Sequence, residues 1–476
     1  MSRSLTSISL AAFCGLALLS TMGCSDREDR ARVAFDRYQS ANVRGDLPEA
    51  KRALQSLVVI DDTNPEYWAE LGRVSLQTGD IGEAYEGYLR AHELDRDNVS
   101  YLTLLTQLTL RSGNFTRAEQ LARDLELLDP ANATIPLTRG YSALRRGDLV
   151  EAQNQADLLR EKAPLDPTGT VLQARIHLAR GQGEDAIRVL NGSLSQQETD
   201  QLILQALSAI HVYREEWPQA AESAARLLVW RPQDLSVRGS LVEALLRAGR
   251  LPAAREATAA GLRTASPEQI GELLEPWMAT GRTRDVTDLV LATAKARPGD
   301  ARTELARFLA LAGQARAVAE LTQPDAALPP TAANLAANAL YGGAIASLGD
   351  RRAGLDRLDS VLAVDPQQVD ALRGRAQLRL AQAQHDLAIE DGRKLVAADR
   401  TDASARLLLS RLFLANNDLD NARRTLWDAF HDIPGDRMIF EALWQLLART
   451  DGPQAAQRLT KEFRDQKDDE MSRSFV

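Results

Sequence analysis

A small residue recurs every 34 positions along most of this chain, and that period restricts the fold more than any other feature. The recurring position, here called the alanine column, holds Ala50, Ala84, Ala118, Ala152, Ala186, Ala220, Ala254, Val286, Val318, Gly354, Ala388, Ala422 and Ala456. Its steps are all 34 residues, except for 32, 32 and 36 between Ala254 and Gly354. A period of this length is the signature of a repeat architecture, so we expect 13 stacked repeats instead of separate globular domains.

Two further columns keep the same phase as the alanine column. Five residues before it stand Gly45, Gly79, Gly113, Gly147, Gly181, Gly249, Gly281, Gly313 and Gly349, and twelve after it stand Pro130, Pro164, Pro232, Pro298, Pro330, Pro366 and Pro434. Glycine accepts the left-handed backbone that ends a helix, and proline stops a helix and prepares the entry to the next. Each repeat is therefore predicted to contain two helices joined by a tight turn.

The small size of the alanine column has a packing reason. Two packed helices lie about 8–10 Å apart, so little room is left for a side chain where the second helix crosses the first. A larger residue would overpack the crossing by roughly 1–3 kcal/mol. Ala, Leu, Arg, Asp and Glu dominate the composition, which favours helices over strands. The predicted fold class is all-α.

The second repeat carries the fullest set of in-phase residues, which are Trp68, Leu71, Gly72, Ala84, Tyr88 and Ala91. These residues and offsets resemble the tetratricopeptide-repeat (TPR) family over about residues 31–470. The resemblance implies an α-solenoid of about 13 helix–turn–helix repeats that forms a right-handed superhelix. It also implies a binding scaffold, not an enzyme.

The eighth to tenth repeats lose the alanine column and the regular step. The stretch 322–330 has two proline sites and a poor helix pattern, and Gly342-Gly343 falls in a predicted first helix, where each Gly costs about 1 kcal/mol against Ala. One interpretation is an irregular joint at 322–334 between an N-terminal array, 31–321, and a C-terminal array, 335–476. The other is an unbroken solenoid with degenerate repeats.

The N-terminal residues have a pattern that is typical of a targeting segment. Arg3 precedes a short uncharged apolar stretch, 5–19, which is too short to span a membrane comfortably and favours a secretory signal. Gly23-Cys24 resembles a bacterial lipobox, although Thr21 and Met22 depart from the usual pattern. The resemblance implies a signal peptide at 1–23 and lipid attachment at Cys24, followed by a linker to residue 30. The alternative is an ordinary signal peptide with an incidental Cys.

The number of cysteines and the net charge exclude further kinds of site and partner. The chain has only Cys14 and Cys24, so the mature protein would keep no thiol for a disulfide, a metal cluster or catalysis. The formal charge is −9, from 57 basic and 66 acidic residues. Removing Arg3 with the signal leaves 56 against 66, or −10. This balance disfavours nucleic acid as a partner.

No catalytic pattern occurs in the sequence. The five histidines form no HExxH or similar ligand set, and neither a GxSxG, a Walker-type loop nor a dinucleotide-binding GxGxxG opening a helix is found. Acidic pairs such as Asp61-Asp62 lie in predicted connectors and read as solvated turns. We therefore expect no enzymatic activity, no cofactor and no metal site.

In tetratricopeptide repeats, first-helix positions eleven and seven residues before the alanine column line the concave groove. Carried over, the first column gives Gln39, Arg73, Gln107, Tyr141, Arg175, Ala209, Glu243, Glu275, Arg307, Gly343, Gln377, Arg411 and Gln445; the second adds Arg111, Arg145, Tyr213, Arg247 and Arg449. Arginine predominates, which suggests a groove for an acidic peptide or an anionic polysaccharide. The alternative is that these arginines merely complement helix dipoles. The Lys and Asn clamp that some family members use for C-terminal carboxylates is absent, since Ala69 and Arg73 stand there.

These features together suggest a lipid-anchored scaffold of the bacterial cell envelope. The architecture resembles TPR lipoproteins of exopolysaccharide secretion, including those that accompany exosortase-type (PEP-CTERM) systems. Ser25 after Cys24 resembles the pattern sent to the outer membrane, so we expect the protein on its periplasmic face. Two alternatives are a pilus- or outer-membrane-assembly lipoprotein and a direct binder of polysaccharide with or without an associated activity.

Overall fold

The computed structural model describes residues 27–194 and 200–474, with the backbone alone for 467–474. Within these residues 26 α-helices and one 3₁₀ turn at Thr283–Asp285 alternate with short turns, and no strand occurs. The helices are α1 (27–43), α2 (Leu47–Ile60), α3 (Pro65–Gln77), α4 (Ile81–Leu94), α5 (Val99–Arg111), α6 (Phe115–Leu128), α7 (Thr134–Arg145), α8 (Leu149–Lys162), α9 (Thr168–Ala179), α10 (Gly183–Gly192), α11 (Asp200–Tyr213), α12 (Trp217–Trp230), α13 (Leu235–Arg247), α14 (Leu251–Leu262), α15 (Pro267–Ala279), α16 (Thr287–Ala296), α17 (Asp300–Leu311), α18 (Ala315–Ala326), α19 (Leu335–Ser347), α20 (Arg351–Val364), α21 (Val369–Ala381), α22 (His385–Ala398), α23 (Ala403–Ala415), α24 (Leu419–Asp432), α25 (Arg437–Thr450) and α26 (Pro453–Ser474).

The helices pair in the predicted way, with odd-numbered helices first and even-numbered helices second in each repeat. Within each compact unit most helices pack on their neighbours in sequence, and some first helices of successive repeats also pack on one another, as α5 does on α7 and α17 on α19. The 13 predicted repeats are therefore confirmed as 13 helix pairs of an all-α solenoid. Such a fold is stabilised mainly between neighbouring repeats.

The chain divides into two compact units, with the boundary between Ser193 and Leu194. The first contains α1–α10, and the second contains α11–α26. Each has its own buried apolar clusters; the largest lies in the second unit and runs from Ala220 to Ala344.

The alanine column is buried in all 13 repeats. Each of its Ala and Val side chains is at most 1% exposed, and Gly354 is buried as well. At Gly354 an added Cβ would lie 2.5 Å from the Cβ of Ala346 and 2.7 Å from the carbonyl oxygen of Gly342, so α19 and α20 cross too closely even for alanine. The column thus marks the helix crossings, as the packing argument predicts.

The glycine column forms the turn between the two helices of a repeat. All nine of its glycines have positive φ, from 67° at Gly281 to 117° at Gly349. Four repeats lack this glycine: in the sixth, eleventh and twelfth, Glu215, Ala383 and Asn417 adopt the same left-handed conformation with φ of 57°, and in the thirteenth Gly452, one residue later, has a φ of 85°. The two flanking helices therefore impose the turn even where the residue disfavours it.

The irregular stretch is more helical than its sequence suggests. Helix α18 continues to Ala326 with Pro324 inside its last turn, and residues 327–334 connect it to α19. Leu321 before this connection and Leu340 after it belong to one buried cluster. The joint expected at 322–334 stays a prediction, and the apolar core of the second compact unit runs across it.

The expected signal peptide and Cys24 lie outside the described residues. Residues 27–30, expected as part of the linker, form the first turn of α1. In the part of the chain that is described, no helix combines the length and the apolar character that crossing a membrane requires.

Candidate binding groove on the first helices

The candidate groove residues lie on first helices, one helical turn apart within a repeat. Because residues four apart share one face of a helix, the two predicted columns form a continuous surface wherever successive first helices pack together. In the second compact unit, α17, α19 and α21 pack side by side and bring Arg307 and Gln377 to one cavity. The sequence prediction had placed both residues in the groove.

This cavity, here called the α19 cavity, has a volume of about 350 Å³. Its lining is mostly small or aliphatic and includes Leu311, Leu340, Gly343, Ala344, Gly374 and Leu378. Leu340 and Ala344 are buried, whereas Leu311 is 43% exposed at the rim. An apolar surface of this kind can accept an apolar side chain from a partner.

Two glycines make the space for the α19 cavity. A Cβ added at Gly374 would come within 3.8 Å of the Gly343 Cα, so the backbones of α19 and α21 lie close together. The only heavy atom that a Cβ at Gly343 would meet within 4 Å is the Gly374 Cα, at 4.0 Å. Gly343 therefore leaves room on the groove surface, where longer side chains stand in most other repeats.

The charged groups at the α19 cavity differ in how firmly they are held. Arg307 donates two hydrogen bonds of 2.8 Å to the carboxylate of Asp370 and a further one to Glu304. Burial opposes the charge of Arg307, but the bonds to these two carboxylates outweigh it and raise the pKa of the guanidinium. Arg307 is therefore a fixed part of the wall.

The other polar residues of the α19 cavity differ in availability. Arg373 is held, because it forms an ion pair with Asp402 at 2.7 Å and its side chain is only 16% exposed. Arg351 and Gln377 are exposed, and neither forms a side-chain hydrogen bond with any described residue. Sequence reasoning missed Arg351 and Arg373, because both lie outside the two groove columns.

In the first compact unit, Arg73 belongs to a polar network. It donates to Glu70 at 2.8 Å, to the Tyr38 hydroxyl at 3.0 Å and to Gln77 at 3.1 Å. The hydrogen bond to Glu70 is the main reason that the pKa of Arg73 is raised. Gln107, in the next repeat, donates to Thr134 at 3.1 Å.

Two other candidate groove residues, Arg175 and Arg145, contact aromatic rings. The Arg175 guanidinium lies 4.9 Å from the ring centre of Tyr141, and both residues are buried. Arg145 lies 5.9 Å from the ring of Phe115. Such cation–π contacts orient the arginines without cancelling their charge.

The remaining candidates are scattered. Arg247 donates to Glu243 at 2.9 Å and lies 4.9 Å from the Trp217 ring. Tyr213 is 42% exposed. Arg111 and Arg411 are exposed and form no side-chain hydrogen bond within the described ranges.

The predicted surface is therefore less cationic than a count of arginines suggests, because Arg73, Arg247 and Arg307 are paired with carboxylates. Glu275, in the eighth repeat, adds negative charge. Its partial burial and the nearby Asp436 raise the pKa of its carboxyl group. Whether any of these side chains bind a partner stays a prediction. Among the side chains that the structure describes, those of 27–194 and 200–466, no three His, Cys, Asp or Glu come together as metal ligands.

Comparisons with known proteins agree with this architecture. A family model of the tetratricopeptide repeat matches residues 137–200, 206–270 and 346–403. Over 386 residues, 74% of the chain, the sequence is 24% identical to "Cellulose synthase operon protein C" of Xanthomonas axonopodis pv. citri (strain 306). The matched region is 25% of that relative, so the chain spans only a quarter of its length.

Solved structures resemble the fold of this chain at low sequence identity. A tetratricopeptide repeat protein from Parabacteroides merdae is 17% identical, with a TM-score of 0.38, over 52% of this chain and 99% of that one. YrrB, described as a TPR protein with an unusual peptide-binding site, is 16% identical, with a TM-score of 0.31, over 39% of this chain and 96% of its own. Both TM-scores are below 0.5, so the assignment of the repeat type depends on the repeats of this chain and not on these superpositions. The 13 helix pairs, their buried small-residue column and the matched segments show a solenoid of tetratricopeptide-type repeats, a fold that is generally a non-catalytic scaffold for protein–protein interaction.

Proposed function

We propose that this protein is a lipid-anchored scaffold of the bacterial cell envelope that recruits a protein partner of an exopolysaccharide secretion system. The recruiting surface is the groove of α17, α19 and α21, which contains the α19 cavity. The observation that carries the proposal is this cavity, because it joins an apolar floor to two exposed polar groups, Gln377 on α21 and Arg351 at the start of α20. Polar groups placed around an apolar surface are typical of a binding site.

The biological setting is supported by sequence likeness. The relative from Xanthomonas is described as a cellulose synthase operon protein, and its similarity extends over most of this chain. Cellulose is an exopolysaccharide, so the likeness favours a role beside a polymer synthase or exporter. A fold of this type hosts many functions, and a direct test is therefore required.

The anchor is supported by the sequence alone. Cys24 follows a short apolar segment and precedes a polar stretch, which is the order that lipid attachment needs. Ser25 favours the outer membrane, with the repeats on the periplasmic side. The change Cys24→Ala is expected to abolish labelling with a radioactive fatty acid and to release the protein from membranes. Retention without the lipid would mean that another contact holds it there.

Site-specific photo-crosslinking tests the recruiting surface. A photoreactive amino acid replaces Gln377, which is exposed at the α19 cavity, and in a matched control it replaces Glu390 on the second helix of the same repeat. We expect ultraviolet light to join a polymer-synthase or exporter subunit to the Gln377 variant only. Equal adducts from both positions, or none from Gln377, would contradict the proposal.

The identity of the joined protein also separates the alternatives. A pilus subunit or a barrel-assembly component would favour the corresponding assembly role. A polysaccharide ligand is less favoured by the groove itself, because carboxylates already neutralise Arg73, Arg247 and Arg307. A strongly anionic polymer would have to displace those fixed ion pairs.

A further inference from the structure

We infer that the α19 cavity selects partner segments in which an apolar side chain stands within two residues of an Asp or Glu. This inference rests on the proposed function of the groove and adds the chemistry of its partner. The partner is an acidic peptide segment with one apolar anchor. Three observations carry it: the apolar floor, the charge balance of the lining and the exposed backbone between two glycines.

The apolar anchor follows from the floor of the cavity. Leu340, Ala344 and Leu378 form a surface that is buried by at least nine-tenths, and Leu311 stands exposed at the rim. A volume of about 350 Å³ accommodates a side chain as large as Leu or Phe together with part of the peptide backbone. Burying such a side chain contributes roughly 10- to 100-fold in affinity.

The preference for acidic neighbours follows from the charges around the cavity. Its charged lining residues are Arg307, Arg351, Arg373 and Asp370, a balance of three positive to one negative in a chain with a net charge of −9. Asp370 accepts two hydrogen bonds from Arg307, and this ion pair neutralises both residues. Arg373 is paired with Asp402 in the same way, so the positive charge that remains available comes from the exposed Arg351.

The position of these arginines fits a short segment. Arg351 begins α20, at the end of the cavity nearest to the turn after α19, while Arg373 lies on α21 beside Gly374. A carboxylate beside the anchor can pair with the exposed Arg351, since arginine binds a carboxylate through two parallel hydrogen bonds. Charge complementarity therefore favours an acidic segment over a basic one.

The recognition of backbone is provided by Gln377 and the two glycines. Gln377 is exposed, and its amide can both donate to and accept from a peptide group. Gly343 and Gly374 have no side chains to hold a bound segment away from α19 and α21. These features favour an extended segment over a globular surface.

The experiment pans a phage-displayed library of random 12-residue peptides on the immobilised full-length protein. We expect enriched peptides to contain Leu, Ile, Val, Met or Phe within two residues of Asp or Glu. Basic or uncharged consensus sequences, or no enrichment, would overturn the inference. The proposed scaffold role would survive that result if the Gln377 photo-crosslink still captures an export subunit, so the two failures are distinguishable.

Variants test where the selected peptides bind. Gly343→Leu fills the cavity, and its Cβ meets nothing closer than 4.0 Å; Gly271→Leu on α15, where a Cβ meets nothing within 4 Å, is the matched control. We expect the first to weaken a selected peptide at least tenfold and the second to leave it unchanged. Equal binding by both variants contradicts the inference.

A separate variant tests the requirement for acidic residues in the peptide. Arg351→Glu is expected to weaken acidic peptides at least tenfold and to move the consensus toward Lys and Arg. Because Arg351 is exposed and unpaired within the described residues, the change should not disturb the fold. If Gly343→Leu fails to fold, Leu311→Asp at the exposed rim replaces it and should reduce binding to the same extent. An unchanged consensus would contradict the charge argument.

Discussion

The crossing of α3 and α4 in the second repeat differs from the crossing of α19 and α20 in the tenth. Both have glycine twelve residues before the alanine column, and at both a Cβ would meet the carbonyl oxygen of the column residue at 3.2 Å. The second repeat keeps alanine in the column and has its closest backbone approach at Gly87, where a Cβ would lie 2.7 Å from the carbonyl oxygen of Trp68; the tenth has it in the column itself, at Gly354. Both crossings therefore exclude a side chain at one position, and the irregular repeat differs in where that position lies.

The repeat that follows this close crossing restores the regular step and buries a charge. Asp391 is fully buried and accepts hydrogen bonds from Arg375 at 3.0 and 2.7 Å and from Arg379 at 2.7 Å. Asp391→Ala leaves Arg379 without a carboxylate partner and Arg375 with only Asp359, so we expect a loss of about 3–5 kcal/mol in the unfolding free energy of this region. Hydrogen exchange of α21 and α22 measures it. Glu390→Gln, which removes only the exposed pair with Lys394, should cost less than about 1 kcal/mol.

The close crossing itself can be tested by adding one methyl group. Gly354→Ala is expected to destabilise α19 and α20 by about 1–3 kcal/mol, because overpacking outweighs the better helix propensity of alanine. Gly271→Ala, with open space around it, should instead stabilise its helix slightly. Local exchange rates distinguish the outcomes. Equal gains at both sites would mean that the tenth repeat is loosely packed.

One substitution in the glycine column should increase stability. Ala383 holds a φ of 57°, which costs a non-glycine residue about 1–2 kcal/mol, although glycine also gains freedom in the unfolded chain. Ala383→Gly should therefore stabilise the eleventh repeat by about 0.5–1 kcal/mol. The reverse change Gly79→Ala in the second repeat should lose a similar amount, and thermal melting compares the two. A loss from Ala383→Gly would contradict the strain argument.

The smallest expected effect depends on pH. The hydrogen bond from Arg255 is the main cause that lowers the pKa of Asp288 to about 2 from its ordinary 3.8. A lowered pKa stabilises the folded state above pH 3.8, and that stabilisation is lost as pH falls toward 2. Asp288 is 72% exposed, so we expect no more than about 0.5 kcal/mol. Wild type should be more stable than Asp288→Asn above pH 3.8, and the difference should shrink as pH falls from 3.8 toward 2. A difference that persists undiminished well below pH 2 would contradict this assignment.

Sequence period alone predicted the number of repeats and the buried column, because both follow from local helix geometry repeated along the chain. It could not predict that Glu215, Ala383 and Asn417 would adopt the glycine turn, since the flanking helices impose that conformation.

The candidate groove was predicted less completely than the fold. Helix propensity marks Gly343 as a weakness, yet the same residue opens a cavity where three helices far apart in sequence meet. Arg307 was expected to face a ligand, but Asp370 lies 63 residues away and pairs with it. Such pairings depend on stacking geometry, which no single repeat contains. Leu311 and Arg351 were missed for the same reason.

The ion pair between Arg307 and Asp370 joins the ninth repeat to the eleventh and passes over the tenth. In a solenoid held only by adjacent contacts, a pulling force detaches one helix pair at a time. Here α19 and α20 are enclosed between two linked neighbours. Under tension the three repeats should therefore release together, in one extension step of roughly a hundred residues, each contributing about 3.3–3.6 Å of contour length. The cavity would keep its shape until that single step.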